Sequence, residues 1–224
     1  MTALEYAEGL LSPVTEENEA EARIIISDLT ALPIGRINIE VPPLSEALKE
    51  SIDGIAKRRA QGEPLQYILG KWEFMGLPFY TRPCALIPRQ DTETLCEEAL
   101  SIGGKTLLDL CCGTGCIGVS LAKLGGFEVT FGDISPDCLA LARENAALNG
   151  IGADTYTVQV GDILTNKALQ AAIGAGIAVA AASSAALGAI SEDPSAMGKS
   201  LIFVALAEGI ALYGLLISFT ILGR

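Results

Sequence analysis

The stretch DLCCGTGCIGVSLA, residues 109–122, decides the fold of this chain. It begins inside the apolar run KTLLDLC (105–111), which predicts a strand, and it continues into IGVSLAKL, which predicts a helix. Gly113 and Gly115 lie between the two, where glycine lets the backbone turn tightly and approach a ligand. Asp109 stands near the carboxyl end of the strand, the edge at which open α/β sheets bind ligands. The stretch therefore predicts a ligand site between a strand and a helix.

Two further strands follow this site. EVTFGDI (128–134) and TYTVQVGDI (155–163) are rich in apolar and β-branched residues, and the helical run PDCLALARENAALNG (136–150) lies between them. The order strand, helix, strand, helix, strand predicts a doubly wound parallel sheet. Three strands are about half of such a sheet.

Acidic residues end both of these later strands. Asp133 ends the second strand, where a carboxylate can accept hydrogen bonds from both ribose hydroxyls of a nucleoside. Gly161 and Asp162 end the third strand. The glycine loop and the two acids together predict a nucleoside-binding site. The alternative is a turn of the same type that has only a structural role.

The residues before this region predict smaller elements. In residues 1–60 the apolar positions recur at helical spacing, and Ser45 can cap a helix that starts at Glu46. Residues 64–88 have the alternation and turn formers of a hairpin, and a short helix follows from Thr92 to Leu100. We predict a helical bundle over 1–70, a hairpin linker and helix over 71–104, and a partial Rossmann-like domain over 105–166.

Charge and composition exclude several classes of function. Residues 1–166 hold 24 acidic and 12 basic side chains, so phosphates are repelled and nucleic acid is not expected as a partner. The chain has no histidine, which excludes histidine-based triads and histidine metal sites. All six cysteines lie before residue 139 without paired spacing, and we expect reduced thiols rather than a disulfide framework.

The acidic charge also selects among cofactors. A cofactor with phosphates favours basic groups and a GxGxxG loop, whereas this loop reads GTGC among acids. S-adenosylmethionine carries a sulfonium cation and an amino group and has no phosphate. An acidic pocket suits it electrostatically, so it is the expected cofactor.

Five segments of the first 166 residues resemble the release factor glutamine methyltransferases. They are GEPLQYILG (62–70), IPRQDTETL (87–95), DLCCGTGCIGVSLA (109–122), DISPDCLALARENA (133–146) and GDIL (161–164). The resemblance implies a helical bundle, a hairpin linker and a Rossmann-like domain. It also implies methylation of the glutamine side-chain amide in the GGQ motif of a release factor, which is the expected partner of this part.

The resemblance also implies roles for single residues. Asp109, Gly113 and Gly115 would line the methionine part of the cofactor, Asp133 would hold the ribose, and Asp162 would lie near the adenine. Pro88-Arg89 and Thr92-Glu93 match a PRxxTE segment that lies beside the active site in the family.

The family's catalytic motif, Asn-Pro-Pro-Tyr, is missing from this sequence. It should follow shortly after GDIL, yet Asn166 is followed by Lys-Ala, and the only proline after residue 136 is Pro194. We therefore assign no catalytic residue, and we expect the remaining residues to bind cofactor without methyl transfer.

The last part of the chain has a different character. Residues 168–190 carry no charge, and at a rise of ~1.5 Å per residue they would extend for ~34 Å, enough for a bilayer core. The polar turn SEDPSAMGK (191–199) separates them from residues 200–222, in which only Glu208 is charged. This pattern predicts a transmembrane hairpin of two helices over 168–222. The alternative is a buried helix pair in a large soluble core.

Glu208 is the residue of interest in this hairpin. A charged group inside a membrane is costly, so such residues are usually functional, although a tolerated acid is the alternative. SEDP and GKSLIFVALAEGIALYGLLISFTIL make residues 169–224 similar to the proteolipid (c-ring, or K) component of archaeal and vacuolar-type rotary ATPases. The resemblance implies that Glu208 carries H⁺ or Na⁺, with H⁺ slightly favoured. It also implies other proteolipid subunits and the ATPase stator as partners.

The fold class is therefore mixed: a helical bundle with a partial α/β Rossmann-like methyltransferase sheet, then an all-α transmembrane hairpin. We interpret the chain as a chimera of two gene products, arising from a deletion fusion or from an error of sequence assembly. One alternative is a non-enzymatic membrane protein that uses only the ion-carrying hairpin. Another is an intact glutamine methyltransferase with a membrane tail. We expect membrane localisation with an N-terminal domain of cytoplasmic type.

Overall fold

The computed structural model describes residues 1–40, 42–162, 165–167 and 169, together with the backbone of residues 177–180. The chain divides into two compact units, Met1–Lys71 and Trp72–Arg224. Most of the predicted transmembrane hairpin, including Glu208, lies outside the described residues.

The first unit is helical, as the spacing of its apolar residues predicted. Its elements are α1 (Ala3–Leu11), α2 (Asn18–Thr30), a 3-10 turn (Ile34–Arg36), α3 (Glu46–Ala60) and α4 (Leu65–Leu69). The Ser45 hydroxyl accepts a hydrogen bond from the backbone N–H of Leu48 at 3.2 Å, so the predicted cap of α3 is confirmed.

A continuous apolar core holds these helices together. Its largest fully buried side chains are Leu11, Ile25, Ile26, Ile37 and Ile52. On its margin the Arg59 guanidinium donates to both carboxylate oxygens of the partly buried Glu21, from Nε to Oε2 and from Nη2 to Oε1, each at 3.0 Å.

The second unit begins with a hairpin. Strands β1 (Lys71–Phe74) and β2 (Leu77–Tyr80) pair across a turn at Met75 and Gly76, which both have positive φ. The hairpin predicted over 64–88 is thus confirmed at 71–80, while its first residues form α4 instead. The helix predicted after it is confirmed as α5 (Gln90–Ile102).

A parallel sheet follows, with the predicted alternation of strands and helices. The elements are β3 (Thr106–Leu110), α6 (Cys116–Gly125), β4 (Glu128–Asp133), α7 (Pro136–Leu148), β5 (Tyr156–Val160) and β6 (Ile177–Ala180). The strand order is β5-β4-β3-β6, and every pairing is parallel. Consecutive strands run outward from β3 to β5, and the chain then returns to pair β6 on the other side of β3. This reversal is the switch point at which doubly wound sheets bind ligands.

Strand β6 corrects one prediction. Residues 168–190 were expected to form a membrane helix and the sheet to end at its third strand, but Ile177–Ala180 pairs with β3. The helix prediction is wrong at these four residues. The physical reason is that a short run of apolar residues has no period that separates strand from helix, and β3 offers a row of backbone hydrogen-bonding groups. Within the described residues, no helix has both the length and the apolarity to cross a membrane.

Both faces of the sheet are packed. Leu107 of β3 and Phe131 of β4 are buried in the larger core with residues of α6 and α7. The alternate residues Leu108 and Leu110 point to the opposite face, where Leu169 packs against them. This core supports β3 and β4, whose carboxyl ends carry the candidate site.

Candidate functional site

The loop between β3 and α6 adopts the tight conformation that its glycines predicted. Gly113 has φ 55° and Gly115 has φ 75°. A Cβ atom on Gly115 would lie 2.8 Å from the Cβ of Ala142 in α7, so both the backbone angle and the close approach require glycine. Cys111, at the start of the loop, also has a positive φ of 55°, which is uncommon for a residue with a side chain.

Asp109 lies beneath this loop and is completely buried. Its Oδ2 accepts a hydrogen bond from the backbone N–H of Gly118 at 2.9 Å, whereas its Oδ1 has no hydrogen-bond partner. Burial raises the pKa of Asp109 to about 7, although the Gly118 hydrogen bond acts in the opposite direction. The carboxyl group is therefore poised between its neutral and ionised forms at physiological pH.

Asp133 lies at the end of β4 and organises two loops. Its Oδ2 accepts a hydrogen bond from the backbone N–H of Gly113 at 3.0 Å, and its Oδ1 accepts one from Ser135 at 2.9 Å. Only 8% of Asp133 is exposed. Each oxygen has a second lone pair, so the carboxylate can still accept hydrogen bonds from a ligand.

A cavity of about 390 Å³ opens at the carboxyl ends of β3 and β4. Its wall combines the segment before α5, the glycine loop and the start of α7. The lining residues are 84–89, Thr92, 111–114, Cys116, Ile117, 133–135 and Cys138. The volume falls in the range of small-molecule and cofactor sites.

The structure distributes the predicted site residues unevenly. Gly113 and Asp133 line the cavity. Asp109 and Gly115 do not: Asp109 accepts a hydrogen bond from Gly118 beneath the glycine loop, and Gly115 packs against α7. Asp162 follows β5 outside the lining, where its backbone carbonyl accepts a hydrogen bond from the N–H of Asn166 at 2.8 Å.

The PRxxTE segment is divided in the same way. Pro88, Arg89 and Thr92 line the cavity. Glu93 does not, because its Oε1 accepts a hydrogen bond from the backbone N–H of Met75 at 2.6 Å, in the turn between β1 and β2. Glu93 therefore fixes the hairpin.

Cysteines line much of the cavity, which the sequence did not predict. They are Cys84, Cys111, Cys112, Cys116 and Cys138, and all six cysteines of the chain are free thiols. Burial raises the pKa of Cys112 and raises that of Cys116 to about 12. These thiols stay protonated at neutral pH and are poor nucleophiles. Among the described residues, no group of three Cys, Asp or Glu side chains has the arrangement of a metal site.

A buried amide beneath the site was also missed by sequence reasoning. Asn145 of α7 is fully buried and makes hydrogen bonds to Tyr80 of β2 and to Thr114 of the glycine loop. The sequence held one signal for it. An asparagine in the middle of a helix is disfavoured unless its side chain has tertiary partners.

Comparison with protein families gives three matches along the chain. A PrmC N-terminal domain matches residues 2–70, and a methyltransferase domain matches residues 107–193. The family of the C subunit of ATP synthase matches residues 168–221. The last two matches overlap at residues 168–193, a range that contains β6.

Curated relatives match the first part of the chain. The release factor glutamine methyltransferase of Geobacter sulfurreducens is 40% identical over 154 residues, covering 66% of this chain and 54% of that protein. The enzyme of the same name from Salmonella typhimurium is 44% identical over 108 residues, covering 46% of this chain and 39% of that protein. The chain thus spans about half or less of the length of these relatives.

Likeness to solved structures is weaker. A tRNA (uracil-54, C5)-methyltransferase of Pyrococcus abyssi, in complex with S-adenosyl-L-homocysteine, has a TM-score of 0.36 at 21% identity. The match covers 41% of this chain and 23% of that one.

The sequence comparisons confirm both resemblances: residues 1–166 resemble the release factor glutamine methyltransferases, and residues 169–224 resemble the ATP synthase proteolipid.

Proposed function

We propose that the first 166 residues bind S-adenosylmethionine in the cavity at the ends of β3 and β4, as the cofactor-binding half of a release factor glutamine methyltransferase. The observation that carries this proposal is the convergence of the glycine loop and Asp133 on one cavity of suitable size. The identity to curated enzymes of that name supports the choice of cofactor and of a release factor as partner.

The residues of the cavity fit this cofactor chemically. The free lone pairs of Asp133 would accept the two ribose hydroxyls, and Gly113 leaves space for the methionine part against the loop backbone. Asp109 and Gly115 would affect the binding of the methionine part indirectly, because their contacts hold the glycine loop in its conformation. Asp162, at the end of β5, would lie on the adenine side.

We propose that this part binds the cofactor without catalysing methyl transfer. The sequence after Gly161 reads DILTNKALQ, so no Asn-Pro-Pro-Tyr motif is present to orient a glutamine amide. A positioned amide is essential for the reaction because orientation contributes much of the rate of a bimolecular transfer.

Calorimetry with S-adenosylhomocysteine tests cofactor binding. We expect the full-length chain to bind weakly and the Asp133→Ala variant to bind at least about tenfold more weakly, since a charge-assisted hydrogen bond is lost. Asp137→Ala is the matched control, because Asp137 is an exposed acid in the first turn of α7. Equal affinity of all three proteins would remove Asp133 from the ribose role, and measurable methylation of a release factor would contradict the loss of catalysis.

For the residues after β6 we propose a membrane segment of the proteolipid type, formed by residues 200–222, with Glu208 as the carrier of H⁺ or Na⁺. The match of residues 168–221 to the C subunit of ATP synthase supports this second function. Its partners would be other proteolipid subunits and the ATPase stator, and the whole chain would be a chimera attached to the membrane. The alternatives are a membrane protein that uses only this ion-carrying segment and a membrane-tailed glutamine methyltransferase.

Dicyclohexylcarbodiimide tests this second function because it reacts with protonated carboxyl groups in apolar surroundings. We expect it to label Glu208 in preference to Glu192 and Asp193, and faster at low pH. Protection by Na⁺ would identify Na⁺ as the carried ion. Labelling of the two loop acids with Glu208 unmodified would contradict the proposal.

A further inference from the structure

Asn145 uses its whole side-chain amide to join two separate elements. Its Oδ1 accepts a hydrogen bond from the backbone N–H of Tyr80 at 2.7 Å, and its Nδ2 donates to the Tyr80 carbonyl at 3.1 Å. The second Nδ2 hydrogen goes to the carbonyl of Thr114 at 2.9 Å. Tyr80 ends β2, and Thr114 lies in the glycine loop. One fully buried side chain thus connects the β1–β2 hairpin to the glycine loop.

The three partners define which side chain can stand at this position. The Tyr80 N–H requires an acceptor, and the two carbonyls require two donors, which together match an amide of this length. A carboxylate at position 145 would face two carbonyl oxygens without a proton to offer. An apolar side chain would remove the partner of the buried Thr114 carbonyl and of the partly buried N–H and carbonyl of Tyr80, with the largest penalty at Thr114.

Helix α7 holds the loop at a second point as well. Ala142 lies three residues before Asn145, on the same face of the helix, and packs closely against Gly115. The loop backbone is therefore fixed from below at two consecutive residues, Thr114 and Gly115. Its other side, at Gly113, faces the cavity and Asp133.

We propose that Asn145 is a positioning residue that sets the conformation of the glycine loop by holding the carbonyl of Thr114. The inference rests on the proposed function, because it takes the cavity as the binding site of S-adenosylmethionine. Asn145 does not line the cavity, so its effect on a ligand passes through the carbonyl of Thr114.

Asn149 provides a matched control one turn later in the chain. Its Nδ2 donates to the carbonyl of Pro78 and to the carbonyl of Asn145, both at 2.9 Å, and only 6% of the residue is exposed. It therefore holds the same hairpin with the same chemistry but makes no hydrogen bond to the glycine loop. A purely structural role for both residues predicts the same effects when either one is replaced.

The experiment compares Asn145→Leu and Asn149→Leu in the full-length chain, in mild detergent, by two measurements. Hydrogen exchange of residues 111–116 reports loop order without any ligand, and calorimetry reports the affinity for S-adenosylhomocysteine. We expect faster exchange in the loop and an affinity at least about tenfold lower for Asn145→Leu only.

A second variant keeps the inference testable where Asn145→Leu does not fold. In Asn145→Asp the protonated carboxyl group can accept from Tyr80 and donate to one carbonyl, whereas the ionised form can donate to neither. Burial favours the neutral form, so the affinity relative to the original chain should improve as the pH falls from 8 to 5. Taking the ratio at each pH removes from the comparison the effects of pH that the two chains share.

The outcomes separate the two proposals. Unchanged loop exchange in Asn145→Leu, or equal effects in Asn149→Leu, would overturn the role of Asn145. An affinity of Asn145→Asp equal to that of the original chain at every pH from 8 to 5 would also overturn it. If the original chain binds no S-adenosylhomocysteine but only Asn145→Leu loosens the loop, the proposed function fails and Asn145 still positions the loop.

Discussion

Asp109 couples the stability of the sheet to pH. In the folded chain its pKa is raised to about 7 by burial, against an ordinary value of 3.8. The folded state therefore holds a proton between these two pH values that the unfolded state has released. The contribution of Asp109 to stability is fully present below about pH 4 and is lost as the pH rises to about 7.

We predict that the contribution of Asp109 to the free energy of unfolding decreases from pH 4 to 7 and then levels off. Chemical denaturation of the original chain and of Asp109→Asn at several pH values measures this, because the amide does not titrate but can still accept from the Gly118 N–H. The difference between the two stability curves should fall across that range. A difference that stays constant with pH would show that Asp109 is already ionised in the folded state.

Cys111 has a left-handed backbone in the wall of the cavity, and this conformation is strained for a residue with a Cβ. We predict that Cys111→Val lowers the unfolding free energy by about 1–2 kcal/mol, since β-branched residues tolerate positive φ least. Cys111→Gly should change it by less than about 1 kcal/mol, because relief of strain is offset by greater freedom of the unfolded chain.

The control for these variants is Cys84, an exposed cysteine in the same cavity wall that is not among the positive-φ residues. Cys84→Val should leave the unfolding free energy nearly unchanged in the same urea titration. An equal loss for both valine variants would attribute the effect to removal of a thiol and not to the backbone angle.

At the scale of elements, the β1–β2 hairpin depends on helix α5. The side chain of Glu93 in α5 accepts a hydrogen bond from the backbone N–H of Met75, a residue of the turn with positive φ. We predict that Glu93→Ala destabilises the hairpin by about 1.5–3 kcal/mol, as expected for a hydrogen bond to a charged group. Hydrogen exchange of residues 71–80 measures the loss, and the affinity for S-adenosylhomocysteine should change little.

Glu97→Ala is the control for this element, because Glu97 is an exposed acid one turn later on the same helix. It should leave exchange in the hairpin unchanged. A large loss of ligand affinity in Glu93→Ala, with normal exchange in the hairpin, would instead support a role of Glu93 beside the active site, as the family resemblance implies for the PRxxTE segment.

Helices and strands in which the apolar residues recur at a clear spacing could be predicted from sequence. Contacts between residues far apart in the sequence could not. The three strands from 105 to 163, the loop glycines and Asp133 follow from local pattern, and the structure brings Gly113 and Asp133 to one cavity. The roles of Glu93 and Asn145 depend on partners 18 and 65 residues away in sequence, which no local pattern encodes. Strand β6 was missed because its four apolar residues stand inside a longer apolar run.

At the scale of the whole molecule, the proposed membrane segment predicts how the chain partitions. The full-length chain should stay in the pellet after carbonate extraction of membranes, because the apolar residues 200–222 are long enough to cross a bilayer. A chain that ends after Asn166 should leave the membrane fraction. Release of the full-length chain by carbonate would contradict a membrane segment at residues 200–222.

The chain that ends after Asn166 should also have a lower free energy of unfolding than the full-length chain. It lacks β6 and Leu169, so the pairing edge of β3 and the side chains of Leu108 and Leu110 lose their cover. We expect it to unfold at a lower denaturant concentration and to aggregate. A second truncation, after Ala180, retains β6 and should recover part of the difference in the same assay.

The position of β5 at the outside of the sheet has a consequence for behaviour in concentrated solution. Within the described part of the chain this strand pairs on one side only, and Val160 at its end is 55% exposed. An open strand edge is a template on which another copy can add. Mutual repulsion opposes this growth, because residues 1–166 carry twice as many acids as bases. Shelf life should therefore shorten in strong salt, where the screening length falls from ~10 Å at 0.1 M to ~3 Å at 1 M.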